Sequence, residues 1–197
     1  MTTPDTFNIG DYEYRWDIMQ RIQSCFQTSI RDHCKTYVVR LDVRFPQGSK
    51  HDGKNSTVSE LLRRLKAYYA YHRIDCRYVW AREQKHSDVP HYHLLLLLDG
   101  SRIENGWGVW SVAARTWSGL LDTNCDACIH LCTPDQGGNG LMIRRPSSRS
   151  EGEKLVLETE AFNRAYKAAY YWASYLAKTY TKGEAPLNVR EFGSSRF

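Results

Sequence analysis

Long apolar runs are missing from this chain. The longest purely aliphatic stretch is Leu94–Leu98, far short of the roughly 20 residues that a membrane-spanning helix needs. No membrane partner is therefore expected. Met1 to Gly10 is polar with no apolar centre, which predicts no secretory signal and a cytoplasmic location. No internal repeat is apparent. Charge of one sign is not in large excess either. Against 22 acidic residues stand 27 basic ones, for a net charge of +5 and a pI near 8.9. That balance is compatible with an anionic partner without requiring one. What is present is ordinary for a soluble domain: 197 residues, 42% hydrophobic and 25% charged. Such a chain builds one well-buried α/β or α+β domain and is short for two. Aromatics reach 13%, useful for stacking on exposed bases, although for any single ring a place in the core is the plainer reading.

A complete zinc motif is also lacking. The six cysteines (Cys25, Cys34, Cys76, Cys125, Cys128 and Cys132) come without a secretory context and read as reduced thiols. Cys125-x-x-Cys128-x-His130-x-Cys132 has ligand-like spacing, but no second ligand pair exists elsewhere for a structural zinc. Cys128, His130 and Cys132 equally fit one face of a short strand, with Ala127, Ile129 and Leu131 on the other. The strand is the plainer of the two.

Periodicity sets out the elements. Asp11 to about Arg31 is predicted to be an amphipathic helix, with Trp16, Met19, Ile22, Cys25 or Phe26, and Ile30 as its stripe. Thr36 to Phe45 reads as a strand. Ser56 or Thr57 is expected to cap a helix from Val58 to His72. Strands follow at Cys76 to Glu83 and Pro90 to Asp99, then a helix from Gly106 to Leu120. Ala127 to Cys132 and Leu141 to Arg145 suggest a hairpin around the loop Pro134 to Gly140. Arg144 to Glu153 is expected to be a polar, mobile loop, Glu158 to Thr181 a long helix, and the tail after Gly183 loosely ordered. The expected architecture is a single α+β domain, core about 36–182, with helices packed on a central antiparallel sheet.

His91-Tyr92-His93 opens the strand that runs into the leucines. Strand side chains alternate between faces, so the two imidazoles point the same way and Tyr92 points away. Two polar rings at the head of an otherwise apolar strand suggest a bound cation. If the strands either side of Gln84 to Val89 form a hairpin, Glu83 comes opposite or nearly opposite His91. Cross-strand neighbours lie about 5 Å apart, so one carboxylate and two imidazoles then converge and leave coordination positions open. A register slip of one residue would turn Glu83 away. Further on, Tyr171, Tyr175 and Lys178 fall at i, i+4 and i+7, one face of a helix. The plainer reading is a packing face of an aromatic-rich helix. Beside a metal, the same residues are a nucleophile and a cation.

At these residues the chain resembles the HUH endonuclease superfamily, the rolling-circle replication initiators. His91-Tyr92-His93 is similar to its histidine–bulky–histidine motif, with tyrosine where an aliphatic residue is usual. Tyr175-Leu176-Ala177-Lys178 is similar to its nucleophile motif, a tyrosine followed three residues later by lysine. Tyr171 looks like the first tyrosine of the doubled pair in phage-type initiators, but Ser174 stands where its lysine would be, so Tyr175 is the primary choice. The inovirus gene-two-type initiators and their prophage-encoded YagK/YfjJ-like kin look nearest. Trp80-Ala81-Arg82-Glu83-Gln84 leading to Pro90-His91-Tyr92-His93 is the phrase that carries this, within a likeness spanning about Thr36 to Lys182.

The resemblance implies an HUH/Rep-like variant of the ferredoxin-like plait and a replication-initiation endonuclease. Tyr175 would attack a DNA phosphodiester, leaving a 5′-phosphotyrosine and a free 3′-OH. Mg2+ or Mn2+ on His91, His93 and Glu83 would polarise the phosphate. The implied substrate is single-stranded or melted origin DNA, with a host helicase and polymerase as further candidate partners. Arg82, Lys85 and His86, and also Arg144 and Arg145, are candidates for contacting the DNA backbone; a solvated surface position is as good a reading for each. Three alternatives stay open: a transposase or relaxase of the same superfamily, a non-catalytic DNA-binding prophage regulator on the same fold, and a zinc-structured interaction protein.

Overall fold

A computed structural model describes residues 13–84, 89–179 and 185–196. Its centre is the leucine strand, β3 (His91–Asp99). On one side β3 pairs antiparallel with β1 (Lys35–Val43), from Thr36 opposite Asp99 to Val43 opposite Tyr92. On the other it pairs antiparallel with β2 (Cys76–Glu83), from Cys76 opposite Leu98 to Glu83 opposite His91. Alternation then sends Tyr92, Leu94, Leu96 and Leu98 to one face, and His93, Leu95 and Leu97 to the other. Helices cover both faces, which is why the run is apolar without a period.

On the first face, α2 (Ser56–Tyr71) and α3 (Gly106–Leu121) bring Leu61, Leu62, Leu65, Val109 and Trp117 onto the leucines. On the second, α1 (Trp16–Asp32) and α4 (Gly152–Ser174) bring Ile18, Ile22, Phe26, Ala169 and Trp172 onto Val38, Val79, Leu95 and Leu97. This is the expected α+β arrangement, with six strands and four helices among the described residues. No described helix is long and apolar enough to cross a membrane.

Several expectations are corrected. β4 (Ile129–Leu131) and β5 (Leu141–Arg144) do not pair as a hairpin. Both add to the free side of β1 in tandem, β4 along Leu41 to Val43 and β5 along Lys35 to Val38. One long strand offers enough edge for two short ones, so each gains a ladder without the other. The tail is not loose where described: β6 (Phe192–Ser194) pairs antiparallel with β2. Gly193 lies flat on Trp80, where a Cβ would come within 2.6 Å of the indole nitrogen.

The first helix begins at Trp16, whose side chain is exposed rather than part of the buried stripe. The expected start at Asp11 lies outside the described residues. Asn55, not Ser56 or Thr57, stands at the α2 N-cap, and its side chain is drawn away to the Tyr92 hydroxyl and Arg82. The stretch 144–153 is a turn in which the Ser150 amide donates to the Ser147 carbonyl and the Ser147 amide to Glu158. With that support α4 starts at Gly152, earlier than expected, and it ends at Ser174, also earlier.

The cysteine motif is divided by the sheet. Cys125 and Cys128, expected as reduced thiols, are instead joined as a disulfide, with Cys128 closing a 3-10 turn, and pack on the α2–α3 side. Cys132 packs on the α1–α4 side. Neither four convergent ligands nor a strand carrying Cys128 and Cys132 on one face is formed.

Candidate active site

The α1–α4 face changes character at one end. Along β3, Leu97 and Leu95 give way to His93 and His91. Along β1, Val38 gives way to Arg40 and Asp42, and along β2, Ala81 gives way to Glu83. The register sets Glu83 opposite His91, and Asp42 opposite His93. A row of ionisable groups thus crosses three strands.

Glu83 is the hinge of the row. Its Oε2 lies 3.0 Å from His91 Nε2 and 2.9 Å from His93 Nε2. One donor atom from each of the three residues falls within 4.8 Å of the others. His93 is 3% exposed, and its Nε2 is buried with no properly angled hydrogen-bond partner among the described residues, despite the nearness of Glu83. Leaving such a nitrogen unsatisfied costs about 1–3 kcal/mol. Three ligand atoms gathered at one point fit a cation between them, and two imidazoles with one carboxylate suit a divalent metal.

On its far side, His93 Nδ1 meets Asp42 Oδ1 at 2.6 Å. Carboxylates of this kind fix the tautomer and ring orientation of a ligating histidine. Burial alone would lower the His93 pKa, but Asp42 and Glu83 outweigh it and hold the imidazole above its usual value. Burial likewise works against the Asp42 carboxylate, yet the His93 hydrogen bond brings its pKa down to about 2.

Tyr175 packs against this cluster. Its ring meets His93 edge to face, with centroids 5.3 Å apart. Arg40 Cζ lies 4.3 Å from the Tyr175 centroid and Lys178 Nζ 4.4 Å. Both cations lie over the ring, in cation–π range. Burial, then Arg40, press the Lys178 pKa below its ordinary value, with Glu83 opposing. Arg40 is only 6% exposed, donates to the Trp172 carbonyl at 3.1 Å, and leaves its Nε without a partner among the described residues.

The expected helical stripe is corrected in form. Helix α4 tightens into a 3-10 turn at Tyr175–Ala177, and Lys178 leaves it in an extended conformation. There Lys178 bridges Tyr14, flanked by Arg15 N–H to Ala177 O at 2.8 Å and Thr179 N–H to Glu13 O at 3.1 Å. The lysine reaches Tyr175 from the end of a turn, not from the same helical face. Tyr171 is 50% exposed and makes none of the ring contacts that tie Tyr175 to His93, Arg40 and Lys178.

Of the candidate DNA-contacting residues, Arg82, Arg144 and Arg145 are not brought to this row. Arg82 is 2% exposed on the opposite face and donates to Gly53 O, Asn55 Oδ1 and Gln84. It holds the loop before α2, so a surface role is corrected to a structural one. Lys85 and His86 lie outside the described residues. Arg144 pairs with Lys35, seven residues along β1 from Asp42, about 23 Å away at strand rise. Arg145 caps α1 by donating to Ile30 O and Arg31 O. Sequence reasoning missed Arg40 and Asp42. Their signal was the one that exposed the histidines: two polar residues at i and i+2 in a buried strand.

Residues 8–195 match the YagK/YfjJ C-terminal domain. The chain belongs to that family. It is a prophage-associated family, and the matched span takes in Asp42, Glu83, His91, His93, Tyr175 and Lys178. No curated protein and no solved structure matches the chain.

Proposed function

We propose that this YagK/YfjJ-family chain is a metal-dependent DNA nickase and strand transferase of HUH type, acting on single-stranded or melted DNA at a replication origin. The observation that carries the reading is the packing of Tyr175 on His93, a member of the Glu83–His91–His93 cluster. Those three residues would hold Mg2+ or Mn2+, which when bound polarises a phosphate and stabilises charge building on its oxygens. Arg40 and Lys178 flank Tyr175, and its phenol gives up its proton to solvent as it attacks. The phenolate oxygen attacks phosphorus, the bond to the 3′-oxygen breaks, and that oxygen takes up a proton as the new 3′-OH. The 5′-phosphate stays on Tyr175, so bond energy is kept for rejoining. Asp42 orients His93 throughout.

The test is incubation with single-stranded circular DNA and Mn2+, read as a covalent protein–DNA adduct on a denaturing gel. The native chain forms the adduct, Tyr175→Phe forms none, and Tyr171→Phe still forms it. No adduct from the native chain across several metals and DNA sources would sink the proposal. Loss in Tyr171→Phe with retention in Tyr175→Phe would reassign the nucleophile.

A further inference from the structure

Two residues extend the ionisable row past Asp42 onto the edge strand and take no part in the nicking site. The β1–β4 register sets His130 opposite Asp42. The ladder continues one step, with the Cys132 amide donating to the Arg40 carbonyl at 3.1 Å. His130 and Cys132, two apart in extended chain, therefore share the face that Asp42 occupies. His130 Nδ1 lies 3.8 Å from Cys132 Sγ. One donor atom each from Asp42, His130 and Cys132 falls within 4.8 Å of the others.

We propose that Asp42, His130 and Cys132 form a second metal site, which takes a thiophilic divalent ion of the Zn2+ type. Its ion is distinct from the one proposed for the nicking site, although Asp42 is common to both. The donor set decides the class of ion. Thiolate, imidazole and carboxylate suit Zn2+, whereas the sulfur-free Glu83–His91–His93 set also suits the harder Mn2+ and Mg2+. Two negative ligands balance a dication. As the metal binds, the Cys132 S–H bond breaks, a sulfur–metal bond forms, and the proton passes to solvent. Three protein ligands leave a tetrahedral ion one position for water. Cys132 is buried while His130 is exposed, so the site has a packed floor and an open side for entry. Asp42 serves both centres, orienting His93 through Oδ1 and contributing an oxygen to the second ion. The CxxC pair takes no part, because it lies across the sheet.

Cobalt provides the readout, since only a thiolate ligand adds near-ultraviolet charge-transfer absorption to its spectrum. The full chain, reduced and metal-free, is titrated with Co2+ in a Cys125→Ser, Cys128→Ser background, so that no other ligand-spaced thiol pair contributes. The charge-transfer band is expected in that background and in the same background with His91→Ala. It is expected to vanish with Cys132→Ser. With His130→Ala, an exposed position whose change does not threaten folding, the band should need at least about tenfold more Co2+. No band in the Cys125→Ser, Cys128→Ser background, or a band retained after Cys132→Ser, would overturn the second site. Either result leaves the adduct experiment untouched.

Discussion

The two faces of one sheet are made by the same strands and have little else in common. Toward α2 and α3, the strands present Tyr37, Val39, Leu41, Tyr92, Leu94 and Leu96, closed over by Trp117 and Leu65. Toward α1 and α4 the leucines stop midway, and Arg40, Asp42, Glu83, His91 and His93 take over. The first face is held by apolar burial. The second places charges in a buried row, where each must find a partner or remain unsatisfied. Neighbouring residues of β3 thus have opposite tasks: Tyr92 is sealed in the first face, and His93 beside it faces Tyr175 and Glu83.

The comparison is broken most forcefully from the apolar side. Trp117→Ala should cost about 3–5 kcal/mol of stability in urea titration, while the folded fraction still binds Mn2+ as before. A loss of metal affinity there would mean that the faces are not separable. From the polar side, Asp42→Ala should weaken Mn2+ binding by calorimetry about 10–100-fold, because His93 loses the carboxylate that orients it. An unchanged affinity would remove Asp42 from the site.

Opposite pH limits sharpen the contrast further. Burial pushes the Cys76 thiol and the Tyr92 phenol up to about 12 on the apolar face. These groups are neutral in both states below their unfolded values, near 8.5 and 10. Their contribution is then lost as pH rises through the folded values, at up to about 1.4 kcal/mol per pH unit for each. Asp42 runs the other way. Its pKa is depressed, so its contribution is present above about pH 4, the unfolded value, and is lost as pH falls toward 2. Urea titrations of metal-free protein across pH should show both flanks, and Asp42→Asn should flatten only the acid one. The smallest effect is expected at Tyr171, where Tyr171→Phe should shift stability by less than about 0.5 kcal/mol.

Features that depend on period-2 alternation were legible in advance. The Glu83–His91 pairing needed only that β2 and β3 be consecutive and in the register a short loop allows. The leucine run announced a strand covered on both sides. Placement that depends on distant chain was not legible. Nothing local says that β4 and β5 line up along β1, or that β6 returns to β2, since such edges are filled by whatever long-range contact is available. Arg82 looked like a surface cation because arginine usually is one. Its burial follows from Gly53, Asn55 and Tyr92, which the fold brings to it. The helical stripe through Lys178 failed because Tyr14, far away in the chain, offers that segment an extended partner.

That bridge between Tyr14 and Lys178 sets an order in time. The candidate cation ligands belong to one hairpin, Glu83 being eight residues from His91, and such a loop closes early in folding. The segment carrying Tyr175 is secured only when Arg15 meets Ala177, a closure across most of the chain and correspondingly slow. A newly made molecule therefore brings Glu83, His91 and His93 together well before Tyr175 is fixed against them.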